Sequence, residues 1–334
     1  MAATAPLAVS IGDPAGVGPE LIAEAWGRRE SEGLAPFVAF GGARLLAEAA
    51  RRRGLDVPLV PVTQCAEAVG AFARGLPVIT DLDAEYRPGH PDEQGARFAI
   101  ASLFEASART VAGHTGGIVT GPIAKSHLAR HGFTQPGQTE FVADACGTPR
   151  EDAVMMLAGP SLRTVPLTVH VALAAVPELL TRELIVRRVR VVAAALARDF
   201  GLPSPRIAVT GLNPHAGEDG RMGDDEQLVI APAIAALQAE GLSVTGPHPA
   251  DALFAASERS RYDVAVCMYH DQALIPIKTL DFDHGVNVTL GLPIVRTSPD
   301  HGTAFAIAGT GQASANAMIA AIRMAGDCAA RRAL

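Results

Sequence analysis

The chain has 334 residues, 49% of them hydrophobic and 19% charged, and its 28 basic and 35 acidic side chains leave a formal net charge of -7. That composition excludes a disordered tail, a coiled coil and a collagen-like repeat, each of which needs a far more skewed one. A mildly acidic balance without a Lys/Arg-rich run also argues against a nucleic-acid partner, whose phosphates call for a basic face. Along the chain, short β-branched runs alternate with Ala/Leu-rich segments of helical period, the pattern of a largely parallel sheet covered by helices. In chain order the reading expects a strand at Leu7 to Ile11, a helix at Pro19 to Arg29, a strand at Phe37 to Phe40 and a helix at Ala43 to Arg53. A helix at Gly95 to Ala112 and a strand at Gly117 to Thr120 follow, then a helix at Val176 to Asp199 and a strand at Arg206 to Thr210. A helix at Glu226 to Glu240, a strand at Val264 to Met268 and a helix at Gln312 to Ala330 complete the series.

This length predicts two domains or one large α/β unit. The four cysteines, at 65, 146, 267 and 328, are too dispersed for a zinc knuckle or a CxxC pair and read as reduced, mostly buried residues. The first charged side chain is Asp13, so the basic region of a secretory signal is missing, and every apolar run is broken before membrane-spanning length. A soluble, cytoplasmic protein is expected. Only two of the basic residues are lysines, Lys125 and Lys278, in a chain that otherwise uses arginine. A lysine kept against that bias is a candidate for work arginine cannot do, since its ammonium can be neutralised by burial.

Chemistry-bearing segments fall mostly at expected strand ends, where open α/β sheets place ligands. The first, IGDPAGVGPE at 11 to 20, is a Gly/Pro turn between a strand and a helix, and it is not the GxGxxG fingerprint. Three histidines stand out: His170 in PLTVHVAL, His215 in GLNPHAGEDG and His270 in MYHDQALIPIK. Three strand ends can bring three imidazoles to one divalent ion. Their wide spacing is no local metal motif, and a hydrogen-bonded core or loop histidine is the alternative at each position. Asp271 and Lys278 lie beside His270 as candidates for proton transfer or for holding a developing oxyanion, with a helix cap as the plainer role for Asp271. The stretch from 285 to 317 is glycine-bearing and carries only two charged groups, Arg296 and Asp300. Its backbone N–H groups suit a phosphate or a nucleotide, and Arg296 can grip a phosphate or carboxylate bidentately.

Six segments in order, GDPAGVGPE, TGPIAKSHL, GQTEFVAD, GLNPHAGEDG, YHDQALIPIK and GVNVTLGLPIVRTSPDHGTAFAIAGTG, together resemble the PdxA family of 4-hydroxythreonine-4-phosphate dehydrogenases. The resemblance spans nearly the whole chain. It implies the two-domain α/β/α fold of the isocitrate and isopropylmalate dehydrogenases, with an active site in the interdomain cleft at a homodimer interface. GDPAGVGPE is similar to the GDGIGPE of those enzymes, and DHGTAFAIAGTGQASAN to their HGSAPDIAGKGIAN. On that pattern, residues 1–133 and 273–334 would form one domain carrying much of the dinucleotide site. Residues 134–272 would form a central domain with the metal ligands and dimer contacts.

Carried over residue by residue, the resemblance implies metal ligands at His170, His215 and His270, and substrate contacts at Gln138, Thr139, Lys278, Asn287 and Arg296. It implies cofactor contacts at His301, Gly302, Thr303 and Asn316, and catalytic roles for Lys278 and Asp271. The expected activity is NAD- or NADP-dependent oxidation of 4-phosphohydroxy-L-threonine at C3, followed by decarboxylation to 3-amino-2-oxopropyl phosphate in pyridoxal 5'-phosphate synthesis. A divalent metal, Zn²⁺, Mg²⁺ or Co²⁺, would assist, and the partners would be a phosphorylated small molecule and a second copy of the chain, with neither nucleic acid nor membrane.

Two positions depart from the pattern. Gln138 stands where the family usually has histidine, and Ala306 where it usually has aspartate. Glutamine still donates and accepts hydrogen bonds but cannot become cationic. The rival readings are a paralogue oxidising another four-carbon acid phosphate or a dihydrodiol carboxylate, a phosphate acyltransferase that needs neither metal nor NAD, and a non-catalytic ligand sensor.

Overall fold

The computed structural model of the chain describes residues 5–79 and 81–333. Twelve strands are formed among them: β1 (Leu7–Ser10), β2 (Phe37–Phe40), β3 (Leu59–Val62), β4 (Leu76–Ile79), β5 (Ile118–Thr120), β6 (Val154–Ala158), β7 (Arg163–Pro166), β8 (Ile207–Thr210), β9 (Val244–His248), β10 (Val264–Cys267), β11 (Val286–Leu290) and β12 (Arg296–Pro299). The chain folds as two compact units. Unit 1 takes both chain ends, up to Arg150 and from Leu292, and unit 2 is the continuous segment Glu151–Gly291. These bounds differ from the expected 133/134 and 272/273 because helix Gln138–Ala145 stays with the first unit, while helix His270–Asp281 and β11 belong to the second.

In unit 1 the strands run β3-β4-β2-β1-β5-β12, all parallel. Strands β1, β2 and β5 are buried at every residue, as parallel strands covered on both faces must be. Phe40, Leu103, Ile118 and Leu128 sit at the centre of this core. The longest helix of the unit, Glu93–Val111, begins where Asp92 accepts the N–H of Gly95 at 2.7 Å, with Glu93 in its first turn and Arg109 in its last. From inside that helix the buried Ser102 hydroxyl accepts the N–H of Ile11 at 3.0 Å and donates to the carbonyl of Phe40 at 2.7 Å. One side chain thereby pins the ends of two neighbouring strands.

Unit 2 carries a mixed sheet in the order β11-β6-β7-β10-β8-β9, antiparallel from β11 to β7 and parallel from β7 to β9. The expected helix from Val176 to Asp199 is two helices, Val176–Leu179 and Arg182–Phe200. Leu180 leaves helical geometry, and the Thr181 hydroxyl caps the second helix by accepting the N–H of Leu184. The expected Glu226 helix opens with one wide π turn, Glu226–Ile230, before becoming regular at Ala231–Ala239. Among the described residues no helix is long and apolar enough to cross a membrane.

Candidate active site

In unit 1 the Gly/Pro turn leaves the end of β1 along a path only glycine can follow. Gly12 has a φ of 79°, and a Cβ there would lie 2.5 Å from the carbonyl oxygen of Pro122. Asp13 is buried beneath the turn and accepts the N–H of Ala15 at 3.0 Å, and burial pushes its carboxyl above the usual carboxylate range. The turn then meets the candidate cofactor segment: Val17 N–H donates to the carbonyl of Thr303 at 3.0 Å, and a Cβ on Gly16 would sit 2.8 Å from that same oxygen. Glu20, buried in the first turn of helix Gly18–Gly27, accepts the N–H of Gly309 and the guanidinium of Arg53, each at 3.2 Å. Arg53 in turn donates to the carbonyl of Ala313.

Thr303 is thus held against the first glycine-rich turn, with His301 and Gly302 preceding it in the chain. Thr303 is buried, and Nε2 of His301 is buried with no hydrogen-bond partner among the described residues. Asn316 opens helix Asn316–Arg332 and accepts from Arg28 at 3.1 Å. The buried Nε2 of His301, unpartnered among the described residues, fits a contact to a dinucleotide. The segment ties itself to the turn without a GxGxxG sequence.

The anion-gripping candidates also gather in unit 1. Arg296 opens β12 and is 3% exposed, and its guanidinium donates to Thr120 Oγ1 at 2.8 Å, Gln138 Oε1 at 3.1 Å and Thr139 Oγ1 at 3.3 Å. Burial pulls this guanidinium down to about 10, still cationic at neutral pH. Gln138 completes the arrangement by donating Nε2 to the carbonyl of Gly121 at 2.8 Å. Its amide accepts on one side and donates on the other, the hydrogen-bond pattern of a neutral imidazole, so Gln138 can occupy a histidine's place without its charge. Thr120 is a partner of Arg296 that the sequence reading did not assign, although it opens the quoted TGPIAKSHL segment.

Unit 2 assembles the catalytic candidates on half-exposed turns. The N–H of Leu167 donates to the carbonyl of Cys267, and the Thr168 hydroxyl to that of Met268, both at 2.8 Å, so the turn after β7 runs beside the turn after β10. As a result the rings of His170 and His270 lie 5.8 Å apart between centroids, on the wall of a pocket of about 290 Å³ lined also by Thr168, Val171, Tyr269 and Asp271. His270 begins helix His270–Asp281, and its Nδ1 is 2.7 Å from Asp271 Oδ1. A ring that gives its Nδ1 proton to a carboxylate presents the Nε2 lone pair, the usual preparation of a metal-ligating histidine. Asp271, Leu274, Ile275 and Lys278 share one face of that helix and line a second pocket of about 360 Å³ with His270. Asn287 lies on β11, and its Oδ1 is buried with no hydrogen-bond partner among the described residues.

His215 belongs to the same unit, on a left-handed turn after β8. Residues His215, Ala216, Gly217, Glu218 and Asp219 all have positive φ, between 40° and 79°, a conformation costing roughly 1–2 kcal/mol for each residue with a Cβ. The described residues do not bring three His, Cys, Asp or Glu side chains into one metal-holding group; of the three candidate histidines, His170 and His270 are the pair whose rings are in contact. A donor set of imidazoles, one of them braced by a carboxylate, nonetheless has the chemistry of a site for a borderline divalent ion. Among the described residues six non-glycine positions have positive φ: His170, His215, Ala216, Glu218, Asp219 and Ala304. All of them fall at a candidate metal ligand, in the turn that carries His215, or next to Thr303. Strain of this sort persists only where the surroundings impose it, and it collects at functional sites.

Two supporting residues escaped the sequence reading. Buried Gln272 accepts the N–H of Met268 and the Thr210 hydroxyl, each at 2.7 Å, and donates to the carbonyl of Gly211 at 2.8 Å, joining the exits of β8 and β10. Buried Glu226 accepts the N–H groups of Leu212 and Asn213 at 2.8 and 2.7 Å. Both are polar residues inside or just after quoted segments, and a buried polar side chain there was the only signal available.

The family described as "Pyridoxal phosphate biosynthetic protein PdxA" matches residues 33–325. A 4-hydroxythreonine-4-phosphate dehydrogenase of Erythrobacter litoralis is 62% identical over 98% of each chain. The crystal structure of the enzyme of that name from Klebsiella pneumoniae superposes with a TM-score of 0.86 at 38% identity, covering 98% of both chains. A terephthalate 1,2-cis-dihydrodiol dehydrogenase from Burkholderia xenovorans is more distant, with a TM-score of 0.66 at 29% identity over 96% of this chain and 97% of that one. With its family match and its glycine-rich turn, buried arginine and strained histidines in the order the family has them, the chain belongs to the PdxA family.

Proposed function

We propose that this chain oxidises 4-phosphohydroxy-L-threonine at C3 and decarboxylates the product to 3-amino-2-oxopropyl phosphate, a reaction of pyridoxal 5'-phosphate synthesis, with NAD or NADP and a divalent ion, Zn²⁺, Mg²⁺ or Co²⁺. The observation that carries this reading is the 62% identity, over 98% of each chain, to a 4-hydroxythreonine-4-phosphate dehydrogenase, and the left-handed, non-glycine backbone at His170, at His215 to Asp219 and at Ala304 marks the turns on which we place its chemistry. A bound ion supplies Lewis acidity at the C3 oxygen, and an oxidised nicotinamide supplies the hydride acceptor.

The residues divide the remaining work. His170, His215 and His270 hold the ion, and Asp271 keeps the His270 ring turned so that Nε2 faces outward. Lys278, on the same helical face as Asp271, handles the proton that leaves the C3 hydroxyl as the C3–H electron pair departs. The β-keto acid then loses CO₂, and the Lys278 ammonium stabilises the enolate and returns a proton to carbon. Arg296, with Gln138 and Thr139, grips the phosphate or carboxylate end of the substrate, and Asn287 Oδ1 accepts from a substrate N–H or O–H. His301, Gly302, Thr303 and Asn316 hold the dinucleotide.

A homodimer is part of the same reading. Leu173, Leu228, Ile275 and Phe282, all in unit 2, are 63% to 75% exposed in the single chain, apolar side chains that a second copy would cover. Light scattering on the purified chain is expected to give twice the monomer mass, and a monomer would remove this part.

The test of the activity is NAD(P)H formation by metal-reconstituted protein on 4-phosphohydroxy-L-threonine, beside D-threonate 4-phosphate and D-erythronate 4-phosphate, with and without a chelator. Chelator-sensitive turnover of the first compound is expected. Preference for another substrate would keep the dehydrogenase chemistry but remove the pathway, and turnover that ignores the chelator would remove the metal.

A further inference from the structure

We propose that Glu226 is the positioning residue for His215: its buried carboxylate locks the left-handed turn that carries this imidazole and so governs how tightly unit 2 holds a divalent ion. The inference rests on reading His215 as a metal ligand. Glu226 is 3% exposed, and its hydrogen bonds go to the segment immediately before His215. Oε1 accepts the N–H groups of Leu212 and Asn213 at 2.8 and 2.7 Å, and Oε2 accepts the Asn213 side-chain amide at 3.1 Å, an amide that also donates to Asp225 Oδ2 at 2.9 Å. The carboxylate lies on the inner side of the turn as well, since a Cβ built on Gly217 would fall 2.6 Å from Oε2.

A buried carboxylate is a costly way to fill space, and an apolar side chain of the same size would fill it without the desolvation. What the carboxylate adds is direction, because two backbone N–H groups aimed at one oxygen fix the path of residues 212 and 213 into five successive left-handed residues. Glu226 opens a wide π turn, a distortion that recurs at functional sites. With the backbone held, recruiting the third imidazole beside the His170 and His270 pair costs the ordering of one exposed side chain and not of a whole loop.

The experiment titrates the full chain, stripped of metal, with Co²⁺ alone, following its visible d–d absorption and the rise in melting midpoint that saturating Co²⁺ produces. Glu226→Gln keeps an acceptor for the two backbone N–H groups but sets an NH₂ against the Asn213 amide. We expect Co²⁺ affinity to fall roughly 10- to 100-fold, the usual range for an outer partner of a metal ligand. The Co²⁺-induced rise in midpoint should shrink with it. A merely architectural role would lower the midpoints with and without Co²⁺ alike and leave affinity and band shape untouched. Asn213→Ala, which removes the amide shared by Glu226 Oε2 and Asp225 Oδ2 but leaves both bonds to Oε1, should show a smaller loss in the same direction and serves if the first variant does not fold. Wild-type Co²⁺ affinity in either folded variant, alongside a large loss in His215→Ala, overturns the role of Glu226 alone. Wild-type affinity in His215→Ala overturns the metal reading and this inference with it.

Discussion

The two units solve opposite problems with their polar groups. Unit 1 buries its key cation, surrounds Arg296 with the hydroxyls of Thr120 and Thr139 and the amide of Gln138, and closes the glycine-rich turn on Thr303 by direct backbone bonds. Unit 2 leaves His170, His215 and Asp271 exposed and His270 and Lys278 half-exposed, and it sets His170 and His215 on backbone that only glycine adopts without strain. A rigid, buried network is suited to recognising a fixed anion, and exposed donors on strained turns are suited to groups that exchange ligands and protons. The proposed function therefore assigns binding mainly to the first unit and chemistry to the second, and kinetics can separate them.

The strongest test of that division is His215→Ala. It should abolish bound metal, measured by elemental analysis, and lower kcat by more than the roughly 100-fold that losing an outer partner costs, with the far-ultraviolet spectrum unchanged. A fully active variant would remove the metal role from unit 2. Lys278→Arg keeps the charge but not a proton donor of usable acidity, so kcat should drop by about 10²- to 10⁴-fold with little change in KM. Wild-type turnover in that variant would leave the helix face without a proton carrier.

In unit 1 the sign of the split should reverse. Arg296→Lys is expected to raise KM for the phosphorylated substrate by about 10-fold to 100-fold, from the loss of charge-assisted, bidentate bonds, while kcat stays within a few-fold. A collapse of kcat at constant KM would contradict the comparison. Gln138→His should change KM by less than about 10-fold and add a pH-dependent step in KM between roughly pH 6 and 7 to the parent's profile. A pH profile identical to the parent's would mean that this position does not face the substrate.

The smallest effect concerns stability. Burial holds the folded-state pKa of Asp13 above its ordinary value of 3.8, so the folded chain binds the extra proton, and stability falls as pH rises through the window between those two values. Asp13→Asn should therefore melt higher than the parent at pH 7, by less than about 4 °C, and no higher near pH 3. A difference independent of pH would mean that the carboxyl is not ionising where burial places it.

How much of this was legible beforehand varies by kind of feature. The hydrophobic strands β1, β2, β5, β8 and β10 stand within a residue of where β-branched runs put them, because buried parallel strands need continuous apolar sequence. Strands β3, β4 and β9 carry proline or partly exposed residues, which blurs that signal, and helix His270–Asp281 was hidden by Pro276 and by a cap position, Tyr269, that offers no side-chain hydrogen bond. In the candidate site the residue types were readable, and so was the pairing of His270 with Asp271 as chain neighbours. The dependence of Arg296 on Thr120 joins residues far apart in sequence, and Gln272 and Glu226 declare themselves only through burial. A left-handed run at His215 to Asp219 has no sequence mark at all, since four of its five residues are not glycine.

The placement of β12 also has a consequence for how the protein is made. Its partner β5 precedes the whole of unit 2 in the chain, yet in unit 1 the flank of β5 away from β1 is covered only by residues 296 onward. As the polypeptide leaves the ribosome, unit 2 emerges continuously and can close its sheet from its own residues. Unit 1, begun first, must keep the open flank of β5 from pairing with another nascent chain until β12 arrives near the end of the chain. Translation that stops short of Arg296 therefore leaves the earlier-made half unfinished and adhesive, while the later-made half is already complete.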